Sequence, residues 1–350
     1  MPRRPATLCL LVEILLVGLL ASSPEVVAAE ICPGRFPVLD GDLDARLPFC
    51  SSAPLHVADL AIERIVVSLP SSNYDGRMAL DNVLSALARR PELARGTLVV
   101  APQFLHRDEA EPRHTAAGSN VLLWRTRPFW GSSKATVGGG PVRTSAYRVL
   151  DTLLAYLTRP EHFRNLRRVV VVGHSAGGQM VQRFAASSGF EPKRPGLEIR
   201  YVVLNPSSYL YFDADRPVVA SSERFAPLPE LSRDACPGWN DYGYGLEALY
   251  AVQREAGLDA EAMRRRYASR RVVVLVGGDD SRRGDGLSTH CAAELQGRHR
   301  LERGQLFWTH LQRHFGPSIE TRHRFAVVPG VGHSGRHMLR SPLGLRALFD

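Results

Sequence analysis

Six short runs of apolar, mostly β-branched residues alternate along this 350-residue chain with longer stretches whose apolar residues recur at helical spacing. The runs lack the polar–apolar alternation of strands that face water on one side, so we predict strands covered on both faces, as in a parallel sheet. Alternating strands and helices favour an α/β fold with right-handed crossovers and helices on both faces of the sheet. The predicted strands are 64–69, 97–102, 167–173, 199–205, 270–278 and 323–330.

Amphipathic stretches between these runs predict the crossover helices. After the first strand, the leucines and the valine of MALDNVLSALARR fall on one helical face. The stretch SAYRVLDTLLAYLTR shows the same spacing before the third strand, and SAGGQMVQRFAASSG follows that strand. The stretch GLRALFD is expected to close the chain as a terminal helix.

Two segments, 104–142 and 206–269, are longer than a crossover connection requires. Both are rich in aromatic residues, and the first is also rich in Gly, Pro, Ser and Arg. Long loops in a compact domain usually carry function, so we expect a loop-rich cap that covers a pocket. The apolar content of 44% supports one large core, and we interpret 30–350 as a single domain with these two insertions.

The pentapeptide Gly-His-Ser-Ala-Gly at 173–177 joins the third predicted strand, with its four valines, to an amphipathic helix. The G-x-S-x-G pattern of a nucleophile elbow requires this strand–turn–helix context. Glycines at both ends permit a tight turn in which a side chain would collide with the neighbouring strand or helix. We predict that Ser175 projects from the sheet edge, where the Ala176 amide and the helix dipole favour negative charge. The alternative is a serine that only caps the helix.

A serine becomes a strong nucleophile beside a base that a third group orients. In this class of fold the three residues follow in the order Ser, Asp or Glu, His. Asp279 and Asp280 end the fifth predicted strand, and His333 lies in a glycine-rich loop after the sixth. We predict Ser175, Asp280 and His333 as catalytic residues, with Asp279 as the alternative acid.

Residues that contact the substrate are expected in the loops. The loop after the first predicted strand should supply a second oxyanion donor, and it reads Ser-Leu-Pro-Ser-Ser. Pro70 has no N–H to donate, so an amide or hydroxyl of Ser71 or Ser72 has to serve. Aromatic residues of the insertions are candidates for the pocket walls, with core packing as the alternative. These candidates are Trp124, Trp130 and Tyr209, followed by Trp239 and Tyr242.

The first 29 residues have the features of a secretory signal peptide. Arg3 and Arg4 precede an apolar run at 8–20, and small residues around Ala29 offer a cleavage site. The run is shorter than the ~20 apolar residues of a membrane span. We therefore predict a secreted or periplasmic protein with no stable membrane insertion after cleavage, and an uncleaved N-terminal anchor is the alternative.

Cysteine usage fits export. Loss of Cys9 with the signal would leave four cysteines, which in an oxidising compartment suggest two disulfides with three possible pairings. Cys32 and Cys50 bracket a short segment, so we predict a bridge between them and a second bridge between Cys236 and Cys291. Buried free thiols are the alternative.

The formal charge of +9 comes mainly from arginine and permits attraction to anionic polymers or acidic substrates. The chain has no zinc-finger spacing, no RNP-like aromatic strand and no long Lys/Arg block, so we predict no nucleic-acid partner. It has no H-E-x-x-H motif, and its VGGGP stretch lacks the lysine of a phosphate-binding loop. We predict neither a metal nor a cofactor.

These motifs resemble the α/β-hydrolase superfamily of serine hydrolases, in particular its secreted bacterial and fungal members. The resemblance rests on VVAPQF, GHSAGGQMVQRFA, NPSSYLYFD, CPGWNDYGYGLE, HCAAELQGRHRLERG and VPGVGHSG, which follow in this order between residues 62 and 350. It implies an α/β-hydrolase fold with Ser175 as nucleophile, His333 as base and Asp280 as acid. It does not imply a substrate, because members cleave esters, amides and thioesters.

We therefore predict a secreted serine esterase that forms an acyl-enzyme and acts on small-molecule or polymer esters. Two alternatives remain: a peptidase or amidase that uses the same residues, and a non-catalytic relative that binds an anionic polymer or a protein partner. The second alternative is favoured by one feature, because many relatives carry His-Gly where this chain has Ser68-Leu69.

Overall fold

The computed structural model describes residues 32–40, 43–110, 119–124, 134–137, 140–218, 224–228, 230–284 and 286–350. The predicted signal peptide at 1–29 and the candidate pocket residue Trp130 lie outside the described residues. The predicted α/β architecture is confirmed, because an eight-stranded, mostly parallel sheet carries helices on both of its faces.

The central sheet contains all six predicted strands, each within two residues of its predicted ends. Its strands are β1 (Gly34–Asp40), β2 (Leu43–Ser51), β3 (Arg64–Leu69), β4 (Thr97–Pro102), β8 (Arg168–His174), β9 (Glu198–Leu204), β12 (Arg271–Gly277) and β13 (His323–Val328). They lie in the order β1-β2-β4-β3-β8-β9-β12-β13, and neighbouring strands from β4 to β13 are parallel.

An antiparallel hairpin, β1–β2, extends one edge of the sheet and was not predicted. Strand β2 pairs antiparallel with β1 and with β4. Phe36 and Val38 are buried, whereas Arg35 and Pro37 between them are exposed. This alternation is typical of a strand that faces the core on one side only, as expected at a sheet edge.

Side-chain hydrogen bonds mark where several helices begin. Asp75 accepts from the Met78 amide, Ser145 from the Arg148 amide and Asp259 from the Ala262 amide, each a standard N-cap. No helix in the described part of the chain has the length and apolar composition to cross a membrane. The helices are α1 (Gly76–Leu87), α2 (Ala146–Leu157), α3 (Ala176–Ser187), α4 (Glu230–Ala235), α5 (Ala251–Glu255), α6 (Ala260–Ser269), α7 (Cys291–Glu294), α8 (Arg300–Phe315), α9 (Gly335–Arg340) and α10 (Pro342–Phe349).

The four valines of β8 are all buried, because the sheet is covered on both faces. Val169 and Val171 pack into the cluster formed with α2, α3, α6 and α8. Val170 and Val172 pack into the cluster formed with α1, α9 and α10. Successive side chains of a strand point to opposite faces, so an unbroken apolar run fills both layers at once.

The two predicted insertions contain more regular structure than a loop-rich cap implies. In the first, β5 (Leu123–Trp124), β6 (Lys134–Val137) and β7 (Gly140–Ser145) form a small antiparallel sheet. The second contains β10 (Asp215–Pro217), β11 (Phe225–Pro227) and the helices α4 to α6. Helix α6 leads directly into β12, so the end of this segment is an ordinary crossover connection.

Both predicted disulfides are present. The bridge between Cys32 and Cys50 closes the base of the β1–β2 hairpin. The bridge between Cys236 and Cys291 ties the second insertion to the start of α7, across a sequence separation of 55 residues. Cross-links of this kind remove conformational freedom from the unfolded chain and so favour the folded state.

Candidate active site

Ser175 lies at the turn between β8 and α3 with a backbone φ of 56° and ψ of −118°. Positive φ is unfavourable for a residue with a Cβ, and such strain persists where the surroundings hold it in place. Here the Ser175 amide donates to the carbonyl of Leu204 on the neighbouring strand, at 2.9 Å. The strand–turn–helix arrangement predicted from the pentapeptide is therefore present.

Glycines flank the serine because the backbone packs too closely for side chains. A Cβ on Gly173 would lie 2.3 Å from the carbonyl oxygen of Gly177. A Cβ on Gly177 would in turn lie 2.6 Å from the carbonyl oxygen of Leu69 at the end of β3. The pattern of glycines thus follows from the contact between the turn and the adjacent strand.

Gly173→Ala is expected to lower the free energy of unfolding by about 2 kcal/mol or more, since the added methyl meets backbone atoms that cannot rotate away. Gly189→Ala is the matched control, because a Cβ there would meet its nearest atom, on Asp151, at 4.0 Å. Urea denaturation of both variants measures the difference. Equal stability of the two variants would contradict the close packing described for the turn.

Three side chains that are far apart in the sequence meet at the carboxyl edge of the sheet. The Nε2 of His333 lies 3.1 Å from the Oγ of Ser175. The Nδ1 of His333 lies 2.8 Å from Oδ2 of Asp280. Both distances are within hydrogen-bond range, so a proton can pass from serine to imidazole while the carboxylate orients the ring.

The structure distinguishes between the two candidate acids. Asp280 is 3% exposed and its carboxylate contacts His333. Asp279 is exposed, and its backbone amide donates to the carbonyl of Val331. One residue along the chain is enough to turn the neighbouring side chain away from the imidazole, so Asp280 holds the position required of the acid.

Asn205 joins the two loops that carry Asp280 and His333, and sequence reasoning missed it. This fully buried residue follows β9, and its φ of 44° is one that Asn tolerates better than most residues. Its Oδ1 accepts from the amide of Gly277, at 2.9 Å, and its Nδ2 donates to the carbonyl of Gly332, at 3.2 Å. A single amide side chain therefore couples the end of β12 to the histidine loop. The only sequence signal was its place at the end of a predicted strand.

His174, the second residue of the pentapeptide, packs against the ring of His333 with 4.4 Å between ring centroids. Burial, together with the neighbouring His333 and Arg300, lowers the pKa of His174 well below its ordinary value. His174 is therefore neutral near pH 7 and supports the second imidazole by contact rather than by charge.

A cavity of about 360 Å³ opens beside Ser175 and His333. Its wall includes both predicted substrate-side serines, Ser71 and Ser72. Ala176 is the first residue of α3, where the leading amides have no intrahelical acceptor and are free to bind an anion. The cavity thus combines the serine, the imidazole and the start of a helix, which is the set of groups that acyl transfer requires.

Two of the aromatic candidates, Trp124 and Tyr209, are not part of the wall of this cavity. Trp124 is fully buried and packs edge-to-face on Phe104. Tyr209 is also fully buried and stacks on Phe307 of α8, with ring centroids 4.3 Å apart. Both rings fill the core, because large apolar surfaces in an insertion gain most when they are removed from water. Trp124 and Tyr209 therefore lie in the core, which is the alternative that the sequence left open for them.

The polar groups around Ser175 do not form a metal site. Among the residues that the structure describes, no three His, Cys, Asp or Glu side chains cluster so as to hold a metal ion. His333 has both ring nitrogens engaged, one by Asp280 and one by Ser175. The chemistry of the site is therefore argued from these side chains and the helix amides.

The sheet topology and the turn after β8 define the α/β-hydrolase fold, and comparison with solved structures agrees. The chain is similar to LpqC, a poly(3-hydroxybutyrate) depolymerase from Bordetella parapertussis, with 22% identity over 89% of this chain and 90% of that chain and a TM-score of 0.56. It is also similar to poly(aspartic acid) hydrolase-1 from Sphingomonas sp. KT-1, with 17% identity over 91% of this chain and 100% of that chain and a TM-score of 0.56. No protein-family model matches, and a search of curated protein sequences finds no match.

Proposed function

We propose that this protein is a secreted serine hydrolase that cleaves carboxylic esters through an acyl-enzyme intermediate. One observation carries the proposal: Ser175, His333 and Asp280 form a continuous hydrogen-bonded chain with distances of 3.1 and 2.8 Å. That chain opens on a cavity at the start of a helix. A serine that served only as a helix cap would not need a His–Asp pair aligned on its hydroxyl.

In the acylation half of the reaction, the Ser175 hydroxyl attacks the ester carbonyl carbon and His333 accepts its proton. The Ala176 amide donates to the oxygen that becomes negative, and an amide or hydroxyl of Ser71 or Ser72 supplies the second donor. Asp280 stabilises the imidazolium that forms. Collapse of the tetrahedral intermediate breaks the bond to the alkoxy oxygen, which takes the proton from His333 and leaves as the alcohol.

In the deacylation half, water replaces the departed alcohol. His333 accepts a proton from that water as its oxygen attacks the acyl carbon, and the same helix amide stabilises the new oxyanion. The intermediate then expels the Ser175 oxygen, which regains a proton from His333 and releases the carboxylic acid. Atoms balance as ester plus water gives acid plus alcohol, and the enzyme returns to its starting state.

The lining of the cavity combines polar and apolar side chains. Ser71, Ser72, Asn73 and Asp75 contribute hydroxyl, amide and carboxylate groups to its wall. The same wall also carries apolar side chains, among them Leu69, Met78 and Leu339, so an acyl group finds both kinds of contact there. The similar proteins named above are described as hydrolases of poly(3-hydroxybutyrate) and poly(aspartic acid), so short polar esters and matched amides are the first substrates to assay.

Secretion is part of the proposal and is supported by the cysteines. All four cysteines outside the predicted signal peptide are joined in two disulfides. Such bridges form and persist in oxidising compartments and are rare where thiols are kept reduced. The apolar N-terminal segment with its preceding arginines supports the same assignment.

The test is labelling with a fluorophosphonate probe, which needs no knowledge of the substrate. We expect the Ser175 oxygen to bond to phosphorus as fluoride leaves, so that only the tryptic peptide containing Ser175 gains the mass of the probe. Ser175→Ala is expected to prevent labelling, whereas Ser71→Ala is expected to slow it and keep the same labelled peptide. An unlabelled parent protein that is folded by circular dichroism would favour the non-catalytic alternative.

A matched pair of substrates separates esterase from amidase. Hydrolysis of a p-nitrophenyl ester and of the p-nitroanilide with the same acyl group is measured by release of the chromophore. We expect faster turnover of the ester, with dependence on Ser175. Equal or faster turnover of the anilide would reassign the protein as an amidase or peptidase.

A further inference from the structure

The acid of the proposed triad has a second neighbour, which the mechanism above does not use. Arg300 is the first residue of α8, and its Nη1 lies 3.6 Å from Oδ1 of Asp280. The arginine side chain is 1% exposed and the aspartate side chain 3%. The other carboxylate oxygen, Oδ2, contacts Nδ1 of His333. The carboxylate therefore lies between an imidazole on one side and a guanidinium on the other.

The backbone holds this arrangement together. The amide of Leu301, in the first turn of α8, donates to the backbone carbonyl of Asp280 at 3.2 Å. The loop that carries the acid is thus attached to the helix that carries the arginine. A buried ion pair of this kind contributes little net stability, because both charges lose their water. A contribution to stability is therefore not a sufficient reason for this pair.

Other ionisable groups face the same cluster from the elements packed around it. His299, just before α8, interacts with the charge of Asp280, and burial is the main cause that lowers the pKa of this histidine. Burial also lowers the pKa of His174, on β8, and raises that of Tyr209 well above its usual value, so both rings are neutral near pH 7. Arg303, one turn along α8, pairs with Glu294.

Within the described part of the chain, Arg300 is the arginine that forms an ion pair with Asp280. Its charge is permanent over any pH at which the protein is folded. A fixed positive charge near an imidazole disfavours imidazolium, and the same charge favours the ionised form of the carboxylate between them. The first effect favours the neutral imidazole that accepts the serine proton, and the second keeps the carboxylate able to accept from Nδ1 of His333.

We propose that Arg300 is a positioning residue: it holds the Asp280 carboxylate against His333, and its charge sets the pH at which Ser175 becomes reactive. This inference rests on the proposed function. It assigns to α8 a role that the nucleophile–base–acid scheme leaves out.

The experiment measures the rate of fluorophosphonate labelling of Ser175 from pH 4.5 to 9 in the parent protein, Arg300→Gln, Arg300→Met and Arg300→Lys. In the two neutral variants, the pH at which the rate falls to half on the acid side should rise by about one unit. Their plateau rate should also fall about tenfold, because the carboxylate loses one of its two anchors. Arg300→Lys keeps the charge and should restore the acid-side midpoint to within about 0.3 units of the parent.

Two control variants separate this role from a merely structural one. Arg216→Met removes another fully buried arginine, which stacks between Tyr211 and Trp239. It should lower thermal stability without moving the acid-side midpoint. His299→Asn removes the neighbouring histidine but keeps a residue that can cap α8, and it should also leave the midpoint in place.

The outcomes distinguish the two proposals. An unlabelled parent protein rejects the proposed function. A parent protein labelled at Ser175, with the same midpoint in the glutamine, methionine and lysine variants, rejects the role of Arg300 alone. A midpoint that moves equally in Arg300→Lys and in the neutral variants also rejects it, because the charge would then be irrelevant. Glutamine is included because its length and polarity suit the site if methionine prevents folding.

Discussion

Ser175→Ala is expected to lower kcat/KM for ester hydrolysis by about 10⁵-fold, since removal of a serine nucleophile eliminates the covalent pathway and leaves only oxyanion stabilisation and binding. The variant keeps the Cβ and therefore the same backbone conformation at φ 56°. Its free energy of unfolding should lie within about 1 kcal/mol of the parent value. Activity measured with a short p-nitrophenyl ester, together with urea denaturation, tests both halves of this expectation.

A second substitution at the same position supplies the control. Ser175→Gly removes the hydroxyl and also relieves the positive-φ strain, so it should be more stable than Ser175→Ala by about 0.5–1 kcal/mol while remaining as inactive. The two variants then differ in stability but not in activity. If Ser175→Ala retained more than about a hundredth of the parent activity, the nucleophile would have to be sought elsewhere.

Asp280→Asn is expected to lower kcat by about 10⁴-fold, whereas Asp279→Asn should change it by no more than about threefold. Asparagine has one oxygen that can accept from Nδ1–H, and its other terminal group is an NH2 donor. When that NH2 faces the ring, it donates to Nδ1 and the ring proton moves to Nε2. His333 then lacks the tautomer whose Nε2 accepts the proton of the serine. Asp279 makes its hydrogen bond to Val331 through the backbone amide, which the substitution leaves intact. Both substitutions replace an aspartate by an asparagine, so a difference between the two variants reports the position of the side chain alone.

Steady-state kinetics of both variants with one ester measures this difference. Asp280→Asn also removes the carboxylate that the buried Arg300 faces, so a moderate loss of stability is expected and activity has to be compared below the unfolding transition. If the two substitutions had equal effects, or if Asp279→Asn were the more damaging, the assignment of the acid would be wrong.

Local patterns were sufficient for most of the fold. The four valines of β8 predicted a strand covered on both faces, and they pack into core clusters on opposite sides of the sheet. The apolar spacing of α1, α2 and α3 predicted these crossover helices. The two disulfide pairings followed from sequence distance and compartment.

Helix α8 is the clearest element that periodicity did not predict, because polar residues occupy buried positions along it. Its buried side includes Arg300, Glu302, Arg303 and His310 beside apolar residues such as Phe307. These polar groups find their partners on other elements, so the helix lacks the clean apolar stripe by which an amphipathic helix is recognised. The β1–β2 hairpin was missed because it lies within a segment rich in Gly, Pro and Asp.

The sequence predicted which residue types form the candidate site and their order along the chain. It did not predict how their side chains are arranged in space. Ser175 and His333 were chosen from their places after predicted strands, and the structure brings them together. The same reasoning led to Trp124 and Tyr209 as pocket walls, although both are core residues. An aromatic residue in an insertion looks the same in sequence whether its ring faces a cavity or the core.

The sequence by itself determined the parallel α/β architecture, the elbow at Ser175 and the order in which the serine, acid and histidine follow, because these depend on periodicity and on steric demands within a few residues. Only the tertiary structure decided which of two adjacent aspartates meets His333, that Asn205 joins their loops, and that Arg300 reaches the same carboxylate. These contacts join residues separated by up to 127 positions in the chain. Their geometry depends on the packing of distant strands and helices, which no local pattern encodes.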